Sequence, residues 1–112
     1  MNNAQRYLPV IQACNACVVA CEASAAACIG AKDNQPLDIG ITLNRDCADL
    51  CRLAARLMER ESGLVDEVCR LCAITCEACA QECRKYDLPE CQECAEVCAR
   101  CVEQCETITA GA

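Results

Sequence analysis

Sixteen of the 112 residues are cysteine, and they recur at a helical interval. Cys69, Cys72, Cys76, Cys79 and Cys83 stand 3, 4, 3 and 4 residues apart, and Cys91, Cys94, Cys98, Cys101 and Cys105 repeat the same steps. Cys14, Cys17 and Cys21 begin a third run, in which Ser24 takes the next slot before Cys28. Cys47 and Cys51 form a fourth run, flanked on the same track by Asn44, Ala54 and Met58. Alternating steps of three and four trace the seam that faces the middle of a helical bundle. Leucine and isoleucine normally fill that seam. Here it is thiol.

Four kinds of chemistry suit such a stripe. Cysteine can pack as a small buried hydrophobe, although that use accounts for one or two positions per helix rather than whole tracks. It can form disulfides, but disulfide-rich domains are loop-rich and exported, and rows of adjacent helical thiols define no single pairing. It can ligate zinc or an iron–sulfur cluster, since Cys-x2-Cys pairs recur in tandem. The Cys-Pro ending common to ferredoxin-type spacing is absent, however, and four thiolates around each zinc would bury two net negative charges per site. The fourth candidate is Cu(I), a soft monovalent ion that prefers thiolate. Cu(I) takes two or three sulfurs, and each thiolate can bridge two metals, so one ion per thiolate is electrically neutral. Charge balance therefore favours multiple Cu(I) ions per chain, roughly one per cysteine and on the order of 16. The metal ligands on this reading are the sixteen cysteines of the four runs. A thiol redox protein, or a zinc or iron–sulfur regulator, stands as the alternative.

The elements that must carry these stripes are helices. Gly30 to Pro36, Glu61-Ser62-Gly63 and Lys85 to Pro89 break the chain into four segments of roughly 20–28 residues, each about 30–40 Å long if helical. The segments are rich in Ala, Leu, Glu, Arg and Gln, which are good helix formers. Asp87 is expected to cap the fourth helix, with Leu88 and Pro89 in the first turn and Glu90 closing a capping box. Ser62 is expected to cap the third, with Asp66 and Glu67 near its positive end. Pro9 places Tyr7 and Leu8 outside the first helix or in its first turn. Four similar helices joined by short connections predict an all-α, antiparallel up-down-up-down four-helix bundle with a cysteine-lined core, one domain over residues 1–112. Val18, Leu50, Leu53, Leu57, Leu71, Ile74 and Val97 lie off the cysteine tracks and are expected between adjacent helices or in a subunit contact.

Composition narrows the partners. Ten Lys and Arg against seventeen Asp and Glu give a net charge of −7, which argues against nucleic acid or an anionic membrane. No run of 18 or more uncharged apolar residues is present, so no membrane span is expected. Met1-Asn2-Asn3-Ala4-Gln5-Arg6 shows no basic stretch leading into an apolar one, so no secretory signal is expected. The chain has no histidine. That removes the usual general base and every Cys/His zinc-finger pattern.

Taken together, four stretches resemble the bacterial cytosolic copper storage proteins, a family of cysteine-rich four-helix bundles. They are Cys14-x2-Cys17-x3-Cys21, Asn44-Arg45-Asp46-Cys47-Ala48-Asp49-Leu50-Cys51, Cys69-x2-Cys72-x3-Cys76-Glu77-Ala78-Cys79-x3-Cys83, and the run from Cys91 to Cys105. The resemblance spans essentially the whole chain. It implies reversible storage of many Cu(I) ions inside each bundle, assembly as a homotetramer, and no catalytic turnover as the main role; the sequence does not identify a copper donor. The exported branch of the family carries a twin-arginine signal, which this sequence lacks, so the resemblance implies the cytosolic branch and a cytoplasmic location. Family members also place histidines near one open end and often an acidic residue where Asn44 stands. Without them, access for metal at that end falls to Cys28, Cys83 or Cys91, assisted by Asn44, Asp87 or Glu90. Met58, towards the other end, offers a thioether that could bind Cu(I) or fill a gap in the core.

Overall fold

A computed structural model describes residues 3–31 and 37–109. Helix α1 runs Asn3–Gly30, α2 Asp38–Glu59, α3 Val65–Cys83 and α4 Pro89–Thr109, with no strand among the described residues. Each helix packs on two neighbours, α1 on α2 and α4, α3 on α2 and α4. The four therefore stand at the corners of a square and run alternately up and down, in a rod of 51 × 19 × 18 Å. A square of four rods encloses one central axis, and every cysteine side chain is buried along it.

The helix ends show which local signals acted. α2 closes in a Schellman motif: the Ser62 N–H reaches the Leu57 carbonyl at 2.9 Å, and the Glu61 N–H reaches that of Met58 at 3.1 Å. Glu61 takes the left-handed conformation this motif requires, with φ 53°, where glycine would be the usual choice. Ser62 does not cap α3. Its hydroxyl instead accepts the Leu64 N–H at 3.1 Å, and Leu64 holds the cap position without a side-chain bond. The Schellman turn uses Ser62 to finish α2, so α3 starts two residues later.

At α4 the start also lies one residue beyond expectation. The Leu88 carbonyl accepts from Cys91 and Gln92 at 3.0 and 3.1 Å, which makes Leu88 the cap residue and Pro89 the first helical residue. Proline suits that position because its missing N–H would have had no intrahelical partner. Asp87 is left exposed outside the helix.

Pro9 lies inside α1 rather than at its start, and Tyr7 and Leu8 are helical. The cost of proline there is the one hydrogen bond its nitrogen cannot make. Against it stands the burial of Tyr7, Val10 and Ile11 on one face, each contributing about 1.5–3 kcal/mol. Arg6 lies 5.0 Å from the centre of the Tyr7 ring and covers it.

The off-track aliphatics divide. Leu57 and Val97 are buried and Val18 and Leu50 half-buried, whereas Leu53, Leu71 and Ile74 are 44, 49 and 65 % exposed. Residues Gln5–Gly30 form a helix long and apolar enough, by length and composition, to cross a membrane. Alanine and cysteine supply much of that apolar character, and its cysteines face the bundle axis.

Candidate metal centre

The sulfur column follows directly from the helical spacing. Residues three and four apart share one face of a helix, so each 3-4 run becomes a row of thiols, and four rows meet on the axis. Cys47 Sγ lies 3.3 Å from Cys76 Sγ, Cys17 lies 3.5 Å from Cys98, and Cys51 lies 3.5 Å from Cys72. A disulfide needs sulfurs about 2.05 Å apart, and all sixteen cysteines are free thiols. The disulfide scaffold is excluded in this structure.

Four tetrads have all their sulfurs within 4.8 Å of one another: Cys14/Cys51/Cys72/Cys101, Cys17/Cys51/Cys76/Cys101, Cys17/Cys21/Cys47/Cys98 and Cys21/Cys79/Cys94/Cys98. Cys17, Cys21, Cys51, Cys98 and Cys101 each belong to two of them. The tetrads therefore form one continuous ladder with shared rungs rather than separate tetrahedral cages. Shared sulfurs suit bridging thiolates and a soft ion of low coordination number. They do not suit isolated four-thiolate zinc sites, each of which needs its own ligands.

Below the tetrads the column ends at Cys69 and Cys105, near Met58, whose Sδ accepts from the Cys69 thiol at 4.0 Å. Tyr7, Val10, Met58, Val65 and Ile108 are buried at this end and close it with apolar atoms. At the other end lie Cys28, Cys83 and Cys91, which take part in none of the tetrads. Cys28 and Cys91 touch at 3.5 Å. Cys83 lies 4.0 Å from Cys79.

Two polar residues are buried among these sulfurs, Ser24 and Asn44. The Asn44 Nδ2 donates to Ser24 Oγ at 2.8 Å. Its Oδ1 accepts from the thiols of Cys79, Cys83 and Cys94 at 3.2, 3.4 and 3.5 Å. Ser24 Oγ in turn donates to Cys91 Sγ at 3.3 Å. Asn44 is thus part of the column, as its place on the track predicts. Asp87 and Glu90 are not. Both are exposed in the turn before and the first turn of α4, where carboxylates keep their hydration and oppose nothing in the core.

Neighbouring sulfurs drive one another's acidity apart. A thiol that donates to a sulfur is held protonated, and the sulfur that accepts is favoured as thiolate. Contact with Cys21 lowers Cys94, and contact with Cys101 lowers Cys105, each to about 5. Contacts with Cys17 first hold the Cys21 thiol well above its ordinary value. At the loop end burial pushes Cys28 up to about 12, reinforced by Cys91. The ladder is a network of S–H···S contacts, apolar enough to be buried, whose protons can exchange for cations.

The loop end has a further cover that the cysteine pattern did not reveal. Tyr86 is 5 % exposed, its hydroxyl donates to Glu82 Oε2, and its ring lies against Gly40. Gln92 reaches back to the Arg84 and Tyr86 carbonyls and fixes this turn. The available signal was spacing: Tyr86 stands three residues past Cys83, and Gly40 four before Asn44, so both continue the inward tracks.

The profile of the copper storage protein family matches residues 3–110 of this chain. An uncharacterized cysteine-rich protein of Bacillus subtilis, YhjQ, is 42 % identical over 100 residues, covering 89 % of this chain and 93 % of its own. The Cu(I)-bound copper storage protein BsCsp3 of Bacillus subtilis superposes with a TM-score of 0.89 at 40 % identity, over 92 % of this chain and 97 % of that one. A cytosolic copper storage protein from Streptomyces lividans, loaded with five coppers, gives 0.92 at 31 % identity, over 98 % of this chain and 97 % of that one.

Proposed function

The chain belongs to the copper storage protein family, and we infer that its sulfur ladder stores and sequesters Cu(I), roughly one ion per cysteine. The observation that carries this reading is the sharing of sulfurs between tetrads. A shared thiolate can bridge two Cu(I) ions, so the column fills as a chain of neutral Cu–S units instead of a few charged sites. Sixteen thiolates and about sixteen monovalent cations leave the axis without net charge, which a buried column requires.

All sixteen cysteines serve as ligands on this account. Filling releases the thiol protons, and the carboxylates on the outer faces play no part in binding. The role is sequestration rather than turnover: no histidine is present, and every sulfur is withdrawn from solvent. A cytoplasmic location agrees with the free thiols, since reducing compartments keep cysteines unpaired, and with the cytosolic Streptomyces relative. The exposed Leu53, Leu71 and Ile74 provide apolar surface for assembly as a homotetramer.

Metal analysis of protein purified anaerobically from copper-supplemented cells tests this reading. Copper at many equivalents per chain supports it. Zinc at one per four sulfurs, or iron with inorganic sulfide, contradicts it.

A further inference from the structure

The column imposes a condition on its cargo that is not peculiar to copper. A cation can be buried there when its charge equals the number of thiolates it takes, since the filled site is then as neutral as the thiols it replaces. Zinc held by four thiolates misses that condition by two charges. A trivalent centre held by three thiolates meets it.

The sulfurs also stand in threes. Cys17, Cys47 and Cys76 close a triangle with edges of 3.7, 3.3 and 3.9 Å. Cys21, Cys94 and Cys98 close a second, with edges of 3.7, 3.7 and 3.9 Å, and it shares no sulfur with the first. A three-coordinate centre that keeps a lone pair is a pyramid. At the usual metal–thiolate length of about 2.3 Å, a right-angled pyramid spaces its sulfurs about 3.3 Å apart and a flat triangle about 4.0 Å. The observed edges fall within that interval, so small side-chain movements complete either site.

We propose that these triangles bind arsenous acid, As(OH)3, each as a neutral trithiolate, and that the bundle sequesters trivalent arsenic through them. Trivalent arsenic is soft, and soft centres prefer thiolate to oxygen. The step balances without a co-reactant. Three S–H and three As–O bonds break, three As–S and three O–H bonds form, and three waters leave. Arsenic stays trivalent, and the column carries no more charge after binding than before. Arsenous acid is itself uncharged near neutral pH, so its entry buries no ion. The first triangle draws its sulfurs from α1, α2 and α3, and the second from α1 and α4. The two centres together therefore tie all four helices. The proposal goes beyond the Cu(I) reading and does not rest on it, because it needs three sulfurs per site and not one ion per sulfur.

The test uses the full chain, metal-free and reduced with a phosphine because a dithiol would compete, mixed anaerobically with sodium arsenite near neutral pH. Native mass spectrometry should show at least one arsenic for each triangle. Each adduct should be heavier by one arsenic less three hydrogens, and free thiols should fall by three per arsenic bound. Because the sites belong to the folded bundle, arsenite at a hundredfold above its dissociation constant should raise the melting temperature by about 10 °C. Cys28 and Cys91 touch at 3.5 Å outside both triangles, and Cys28→Ser combined with Cys91→Ser should leave arsenic uptake unchanged. Adducts that retain oxygen, uptake lost in this double variant, or a melting temperature that stays or falls because the unfolded chain binds as well would overturn the proposal. Copper uptake of roughly one ion per cysteine without any arsenic uptake overturns this inference alone. Arsenic uptake with copper saturating at one or two ions overturns the storage reading alone.

Discussion

A methyl group on Gly40 would lie 2.5 Å from Cε2 of Tyr86. The ring thus occupies the space a side chain on α2 would need, and the two residues pin the α3–α4 turn against the second helix. Glycine normally weakens a helix interior by about 0.5–1 kcal/mol relative to alanine. Here the sign reverses. Tyr86 is buried and its hydroxyl is bonded to Glu82, so the ring cannot give way without losing that bond. Gly40→Ala should lower stability by about 1–3 kcal/mol, as overpacking does. Thermal melts of the metal-free protein check this, and Gly40→Ala combined with Tyr86→Leu should recover much of the loss.

The same tyrosine makes stability depend on pH. Its hydroxyl, and then the Lys85 ammonium at 3.0 Å, hold the Glu82 carboxyl below the usual carboxylate range. A group with a depressed folded pKa stabilises the fold above its unfolded value, about 4.3 for Glu, and loses that contribution as pH falls through the folded value. Tyr86→Phe should therefore show a full stability deficit near neutral pH that narrows below about pH 4. Urea titrations of both proteins across this range decide the matter. A deficit equally large at pH 7 and pH 3 would assign the effect to packing alone.

The bundle and its thiol axis were legible in the sequence because one periodicity did two jobs. The 3-4 steps from Cys69 to Cys83 and from Cys91 to Cys105 state both that the segment is helical and which face turns inward. Asn44, Ala54 and Met58 could be placed on the α2 track by the same count, and all three are fully buried. Helix ends were harder, because neighbouring signals compete for the same residues. Ser62 was drawn into the Schellman turn of α2, and Pro89 took the first helical position that displaced Asp87 from the cap. Pro9 misled for the opposite reason: a local cost was outweighed by burial of Tyr7, Val10 and Ile11, which only tertiary packing reveals. The Tyr86–Gly40 contact needs two chain segments to meet and has no local signature beyond their spacing from cysteines.

Met58 closes the end opposite Tyr86, with its thioether 4.0 Å from the Cys69 thiol. Substitution by alanine should leave a cavity and cost about 2–5 kcal/mol. Leucine keeps the volume and should cost less than about 1.5 kcal/mol. If Met58 is a stopper and not a ligand, Met58→Leu leaves copper capacity unchanged. A loss of one or more ions on anaerobic loading would make the sulfur of Met58 part of the store.

Burial also predicts how the thiols react. With every cysteine at 3 % exposure or less, a disulfide reagent should modify the metal-free native protein slowly, with no rapid phase at one or two positions. Copper loading should suppress even that reaction, because bound metal stabilises the folded form from which reagent is excluded. A redox protein would behave differently. It would show one or two thiols reacting within seconds, since reactive cysteines are exposed and of low pKa.

The most direct measurement is an anaerobic titration of the reduced, metal-free chain with Cu(I) in the presence of a competing chromophoric chelator. The account predicts that the chelator stays colourless until roughly sixteen ions per chain have been taken up, one for each cysteine. Colour appearing after only one or two equivalents would contradict it.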